Sequence, residues 1–133
     1  MTAPDRSFNI APMDQILIAL AGVMGAAGIM LAAAGAHSKP GVGLDAAGYL
    51  LLIHAAAAIA ATVAARQGFI QRPIGLAAIW GFVVGASLFA TDVTLRAYLG
   101  RPLFPYAAPT GGSLLILDWL VLTAAALAAL AGR

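Results

Sequence analysis

The chain has 133 residues, of which 62% are hydrophobic and 9% are charged, and its formal net charge is +2. Soluble domains carry roughly 25% charged residues, so this composition excludes an ordinary water-soluble domain, and its hydrophobicity excludes a disordered chain. The net charge is too small for a nucleic-acid-binding surface, and the absence of cysteine excludes disulfides and thiolate metal sites.

Residues 1–14 are mixed in polarity and contain Pro4 and Pro12, so we predict an N-terminal tail that lies at a membrane interface. Residues 15–133 are predicted to form one domain. A bilayer core of about 30 Å requires roughly 20 apolar residues in a helix, and four apolar runs meet this requirement. The predicted helices are 16–36, 46–65, 74–98 and 113–132.

The connections between these runs contain helix-breaking residues. Lys39–Gly43 and Gln67–Arg72 are short, and Gly100–Gly112 contains three prolines, which predicts an extended loop. The Gly111-Gly112 pair is typical of a turn at a helix start. The sequence therefore predicts an all-α integral membrane four-helix bundle with short loops and both termini on the same side.

The distribution of basic residues predicts the orientation. The side with both termini and the middle loop holds Arg6, Arg66, Arg72 and Arg133. The opposite side holds Lys39 and Arg101, and Arg96 if it is counted as a loop residue. Since basic residues favour the cytoplasmic side, we expect cytoplasmic termini and location in the bacterial inner membrane.

Ionisable residues inside membrane spans indicate either function or structural pairing, and here they are His54, Asp92, Arg96 and Asp118. The helix bounds predict that they lie in one half of the bilayer. Asp92 and Arg96 are four residues apart, the spacing of a helical ion pair, and Asp118 is expected to complete an Asp–Arg–Asp cluster. The cluster is interpreted as a structural ion pair, with a proton or ion path and a partner interface as alternatives.

His54 is the ionisable residue of an otherwise apolar, alanine-rich helix. A hydrogen-bonded core histidine is the simpler interpretation, and axial ligation of haem or chlorophyll is the alternative. No metal-binding spacing, phosphate-binding loop or catalytic constellation is found in the sequence. We therefore expect no metal, no cofactor and no enzymatic activity.

Small residues at four-residue spacing let membrane helices approach closely. The third predicted helix has Ala77, Gly81 and Gly85 at this spacing. The first predicted helix offers two such pairs, Gly28 with Ala32 and Gly22 with Ala26. These residues predict packing inside the bundle, with contact to another protein as the alternative.

Several short motifs together suggest a family. They are Ala34-Gly35-Ala36-His37, His54-Ala55, Gly85-Ala86-Ser87-Leu88-Phe89, and Pro109-Thr110-Gly111-Gly112 followed by Trp119. Over about residues 19–130 the chain resembles the bacterial domain of unknown function 423 family, which is related to eukaryotic transmembrane protein 256.

The resemblance implies a small four-helix membrane protein and supplies no reaction. The family-motif residues implied here are His37, His54, Ser87, Pro109, Gly111, Gly112 and Trp119. This sequence departs from the family pattern at Ser38, Ile53 and Asp118, where the family has glycine, tyrosine and glycine. Asp92 and Arg96 lie outside the pattern.

The functional hypothesis is a non-enzymatic accessory or stabilising subunit of a larger inner-membrane complex, respiratory or photosynthetic, whose partners are lipid and other membrane proteins. One alternative is a small proton, ion or solute transporter that uses Asp92, Asp118 and His54. The other is haem or pigment binding through His54.

Overall fold

The computed structural model describes residues 11–133, which form four long helices joined by short connections. The helices are α1 (Pro12–Ala33), α2 (Leu44–Arg66), α3 (Arg72–Leu99) and α4 (Ala107–Ala131). All four are long enough and apolar enough to cross a membrane. The predictions of an all-helical chain and of four helices are confirmed for the part of the chain that the structure describes.

Helix α1 begins at Pro12, earlier than predicted. Proline suits the first turn of a helix because the amide hydrogen that it lacks has no partner there. Asp14 consequently belongs to α1 and is buried, which corrects the prediction that the interfacial tail extends through this residue. Residues 1–10 of that tail lie outside the described part of the chain.

A π-helical turn, Ala34–Ser38, extends α1 and coincides with one of the short motifs. The Lys39 amide donates to the Ala34 carbonyl oxygen at 2.8 Å. Gly35 lies directly against the backbone of Asp45 at the start of α2, where a side chain would overlap it. The wider turn therefore brings the end of α1 onto the beginning of α2.

The connection between α2 and α3 is compact and is bonded to α4. The Gln71 side-chain oxygen accepts a hydrogen bond from the Ile74 amide at 3.2 Å and caps α3. The Gln71 amide donates to the Ala125 carbonyl oxygen of α4 at 2.9 Å. This turn therefore fixes the start of α3 and the position of α4 together.

Helix α4 begins at Ala107, six residues before the predicted start at Ser113. Tyr106 has a left-handed backbone conformation with φ of 66° and redirects the chain into the helix. Pro109 is the third helical residue, where a missing amide hydrogen costs no helical bond. The predictions of an extended loop through residue 112 and of a Gly111-Gly112 turn are therefore wrong.

The helices are arranged so that α2 and α3 are central. Helix α1 packs mainly on α2, helix α4 packs mainly on α3, and α1 contacts α3 over a smaller area. In the most apolar stretch of each helix, the share that is buried inside the protein is 44% for α2 and for α3, compared with 22% for α1 and 17% for α4. Much of the apolar surface of the two outer helices therefore faces the surroundings of the protein.

Candidate functional site

The buried ionisable side chains of residues 11–133 lie at three levels along the bundle. We call the end that contains the α2–α3 connection the turn end, and the end that contains the other two connections the loop end. Asp14 lies at the turn end, Asp92 lies near the loop end, and His54 and Asp118 lie between them. The placement of His54, Asp92, Arg96 and Asp118 in one half of the bilayer stays a prediction, although Asp118 lies farther from the loop end than predicted.

An ion-pair cluster at the turn end joins α1 to α2 and α3. A carboxylate oxygen of Asp14 lies 2.8 Å from Arg72 Nη2, and the other lies 3.7 Å from Arg66 Nε. The carboxylate is buried, whereas both arginines are partly exposed. Sequence analysis missed this cluster, although arginines on both sides of the short α2–α3 connection signalled a basic pair at one end of the bundle.

The second level, near the loop end, contains the ion pair between Asp92 and Arg96. Arg96 Nε lies 2.7 Å from Asp92 Oδ2, and the Leu103 amide donates to Asp92 Oδ1 at 2.7 Å. Lys39 Nζ donates to the Ala97 carbonyl oxygen at 3.1 Å. The bonds made by the Leu103 amide and by Lys39 attach both loops to the end of α3.

At mid-length of the bundle, both ring nitrogens of His54 have hydrogen-bond partners. Nδ1 lies 2.8 Å from the Leu50 carbonyl oxygen, and Trp119 Nε1 donates to Nε2 at 3.2 Å. A carbonyl oxygen only accepts and an indole N–H only donates. This network assigns the proton of a neutral imidazole to Nδ1 and occupies the lone pair of Nε2.

The rings that form this hydrogen bond, His54 of α2 and Trp119 of α4, both pack against the ring of Phe82 of α3. The centroids of His54 and Phe82 are 5.4 Å apart, and those of Phe82 and Trp119 are 4.8 Å apart. Phe82 is completely buried, whereas Trp119 is 42% exposed. The rings therefore join α2, α3 and α4 through a contact that reaches the surface on the α4 side.

Asp118 lies one residue before Trp119 and faces a different neighbour. Its side chain rests on Gly81 of α3, and a Cβ atom at position 81 would overlap the carboxyl group. Asp118 is 5% exposed, and its Oδ2 has no hydrogen-bond partner among residues 11–133. Gly81 therefore provides the space in which the carboxyl group is buried.

The predicted Asp–Arg–Asp cluster does not form. Asp118 packs on Gly81, which is eleven residues before Asp92 on α3, a separation of about 16 Å along a helix axis. The reason is the early start of α4, which places Asp118 six residues deeper than the predicted helix bounds. His54, Asp118 and the Asp92–Arg96 pair are consequently three separate features.

Glycine contacts join the helices within each half of the chain. A Cβ atom at Gly48 would lie 2.5 Å from the Gly28 carbonyl oxygen, and one at Gly111 would lie 2.7 Å from the Gly85 carbonyl oxygen. Such close backbone approach is the role of small residues between membrane helices. Sequence analysis identified one glycine of each pair and missed Gly48.

The other predicted packing residues differ in their surroundings. Ala32 lies next to Gly48, whose added Cβ would be 2.5 Å from the Ala32 nitrogen. Ala77 is exposed, so the close contact on α3 begins at Gly81. Gly22 has no neighbouring atom within 4 Å of an added Cβ, and Ala26 is exposed. The predicted pair of Gly22 and Ala26 therefore does not pack inside the bundle.

Three of the family-motif residues lie at the surface, and one of them is Trp119, described above. His37 is exposed in the π-helical turn, and Pro109 is exposed in the first turn of α4. Ser87 is partly buried and faces a groove between helices. The motif residues are therefore spread over the bundle and do not converge on one pocket.

Two apolar grooves lie between helices that make few contacts with each other, one between α1 and α3 and one between α2 and α4. The α1–α3 groove has a volume of about 340 Å³ and includes Val23, Met30, Ser87 and Thr91. The α2–α4 groove has a volume of about 510 Å³. Its lining is mostly alanine, together with Trp119 and Thr123. Both grooves offer apolar surface with few polar groups.

Comparison with protein-family models, with curated proteins and with solved structures gives no match to this chain. The function is therefore inferred from the geometry of the bundle.

Proposed function

We propose that this protein is a non-enzymatic, accessory or stabilising subunit of a larger assembly in the bacterial inner membrane, such as a respiratory or photosynthetic complex. The observation that carries the proposal is the pair of open apolar grooves. The outer helices leave these grooves beside the central pair α2 and α3. In this proposal the chain binds partner helices and catalyses no reaction.

The α2–α4 groove is the better candidate for a partner helix because of its alanine lining. Ala60, Ala64 and Ala126 line this groove. Small side chains permit close approach of another helix, and van der Waals packing is a main driving force for association in lipid. A transmembrane helix from a partner subunit is therefore the occupant that we propose.

The transporter alternative has less support because Asp92 is separated from the other two residues along the bundle and because two of the three side chains already have partners. Asp92 is engaged by Arg96 and the Leu103 amide, and His54 has partners for both nitrogens. A route through the bundle requires titratable groups within hydrogen-bond reach of one another. Among the buried side chains of residues 11–133, Asp118 Oδ2 is the atom without a hydrogen-bond partner.

The haem or pigment alternative also has less support. His54 Nε2 accepts the indole hydrogen of Trp119, so an iron or magnesium ion would have to displace this bond. A visible absorption spectrum of the purified protein tests this alternative directly.

The test of the proposed function is native gel electrophoresis of mildly solubilised membranes, with mass spectrometry of the band that contains this chain. We expect a band well above the 13.4 kDa chain, containing defined partner subunits. Ala126→Leu fills the α2–α4 groove and should release the chain from this band. Ala124→Leu, an exposed position outside the groove, is the matched control. Migration of the wild-type chain alone at monomer size contradicts the proposal.

We also propose that the turn end faces the cytoplasm, because Arg66 and Arg72 flank the α2–α3 connection. The absence of native cysteine permits a direct test. Gln67→Cys at the turn end and Ser38→Cys at the loop end both place a thiol at an exposed position. In intact cells stripped of their outer membrane, a membrane-impermeant maleimide should label Ser38→Cys only. Labelling of Gln67→Cys alone would reverse the orientation.

A further inference from the structure

Among residues 11–133, Asp118 is the buried acidic residue that has no positively charged partner. Its carboxyl group occupies the space that a side chain at Gly81 would fill, at mid-length of α3 and α4. The residue is 5% exposed, so solvent contact does not replace a missing partner. The other two acids that are buried in the described part of the chain, Asp14 and Asp92, each contact at least one arginine.

The elements packed around Asp118 supply no cation. Helix α3 has no ionisable residue between Arg72 and Asp92, and Arg72 is nine residues from Gly81, or about 13 Å along the helix. Helix α4 carries no other ionisable residue. On α2, His54 is the titratable residue at this level, and both of its ring nitrogens have other hydrogen-bond partners, the Leu50 carbonyl oxygen and the Trp119 indole N–H.

An ionised carboxylate in such an environment has a large energetic cost, because neither water nor a hydrogen-bond donor compensates its charge. A bound cation removes this cost. A metal ion requires several oxygen or nitrogen ligands, and residues 11–133 contain no group of three or more His, Asp or Glu side chains suited to this. A proton requires the carboxyl group alone.

We propose that Asp118 is a proton-binding site inside the bundle and that its carboxyl group is a neutral acid at neutral pH. The proton sits on the carboxyl group that rests on Gly81, between α3 and α4. Loss of this proton would place an uncompensated charge between two closely packed helices. This inference goes beyond the proposed function and holds whether or not the chain has a partner subunit.

Infrared spectroscopy of the purified full-length protein in detergent tests the proposal. At neutral pH we expect a carbonyl stretching band of a protonated carboxyl group, which Asp118→Asn removes. Asp92→Asn is the matched control, because Asp92 is ionised through its pair with Arg96, and this variant should retain the band. Absence of the band from the wild-type protein, or its persistence in Asp118→Asn, overturns the proposal.

A second measurement uses the wild-type chain and does not depend on the folding of a variant. The five acidic residues are all aspartates, so labelling with ¹³C-aspartate gives five carboxyl signals in a nuclear magnetic resonance spectrum. We expect the sequentially assigned signal of Asp118 to lie at the position of a protonated acid, and that of Asp92 at the position of a carboxylate. An ionised Asp118 signal at neutral pH overturns the proposal.

Discussion

The two helical hairpins, α1–α2 and α3–α4, use the same packing device and differ in polarity. In each hairpin a glycine in the second helix approaches the backbone of a glycine in the first, Gly48 at Gly28 and Gly111 at Gly85. Gly48 and Gly111 are each the fifth residue of their helices. Between α1 and α2 the core at mid-length is apolar and includes Ala21, Met24 and Leu51. His54 of α2 faces α3 and α4 instead, and the second hairpin buries Asp118 between its own helices.

Asp118 differs from the buried acid of the first hairpin in its surroundings. Asp14 is buried at the turn end beside Arg66 and Arg72, whereas Asp118 is buried at mid-length without a charged partner among residues 11–133. Its burial as a charged group would therefore carry a desolvation cost that no ion pair offsets. Variants at the shared glycine contacts, at the ion pair between the hairpins and at the polar residues of the second hairpin test this contrast.

The largest effect is expected at the shared glycine contacts. Gly48→Ala and Gly111→Ala each place a Cβ atom against backbone atoms that cannot move away. We expect each to lower the free energy of unfolding in detergent by about 1–3 kcal/mol, as overpacking does. Gly22→Ala and Gly112→Ala are the controls, since an added Cβ there meets nothing within 4 Å. If only one of these two substitutions lowered the stability, the two hairpins would not depend on the same glycine contact.

The next effect is expected at the ion pair that joins the two hairpins. Asp14→Asn removes the charge that pairs with Arg72 and Arg66. Because the arginines are partly exposed, we expect a loss of about 1–2 kcal/mol, less than for a fully buried pair. Thermal unfolding in detergent measures it, with the exposed Asp45→Asn as control. Equal stability of both variants would show that the pair does not hold the hairpins together.

A smaller effect is expected from the hydrogen bond between α2 and α4. Trp119→Phe keeps an aromatic ring near Phe82 and removes the N–H that donates to His54. We expect a loss of about 1 kcal/mol in the free energy of unfolding, the typical net value of one hydrogen bond. In a double-mutant cycle with His54→Phe, additive effects of the two substitutions would contradict this coupling.

The smallest effect on stability is expected from Asp118→Asn. The amide has nearly the shape of the neutral acid, so the contact with Gly81 is preserved. We expect a change of less than about 1 kcal/mol in either direction, since no pair and no hydrogen bond is broken. Denaturation in detergent measures this. A stability loss as large as that of Asp14→Asn would indicate an ionised, paired Asp118.

The sequence predicted the features that depend on local patterns. Apolar runs of sufficient length identified four helices, and the four-residue spacing identified the pairing of Asp92 with Arg96. The start of α4 was missed because Pro109, Gly111 and Gly112 are typical of turns. In the fold, Pro109 falls in the tolerant first helical turn, and Gly111 lies against Gly85 and Phe89.

The remaining errors concern contacts between distant parts of the chain. Asp14 and Arg72 are 58 positions apart, and no local pattern connects them. Asp118 was assigned to the level of Asp92 because its depth was counted from Ser113, not from Ala107. Because the start of α4 was predicted incorrectly, Asp118 was expected beside Asp92, whereas its neighbour in the structure is Gly81.

The contacts of Asp14 have a consequence for the hairpin to which it belongs. Arg66, the last residue of α2, lies within the same hairpin and is 3.7 Å from the carboxylate. Arg72, the first residue of α3, makes the shorter contact with the same carboxylate from the other hairpin. One buried charge therefore has a counter-ion inside its own hairpin and a second one that connects both hairpins.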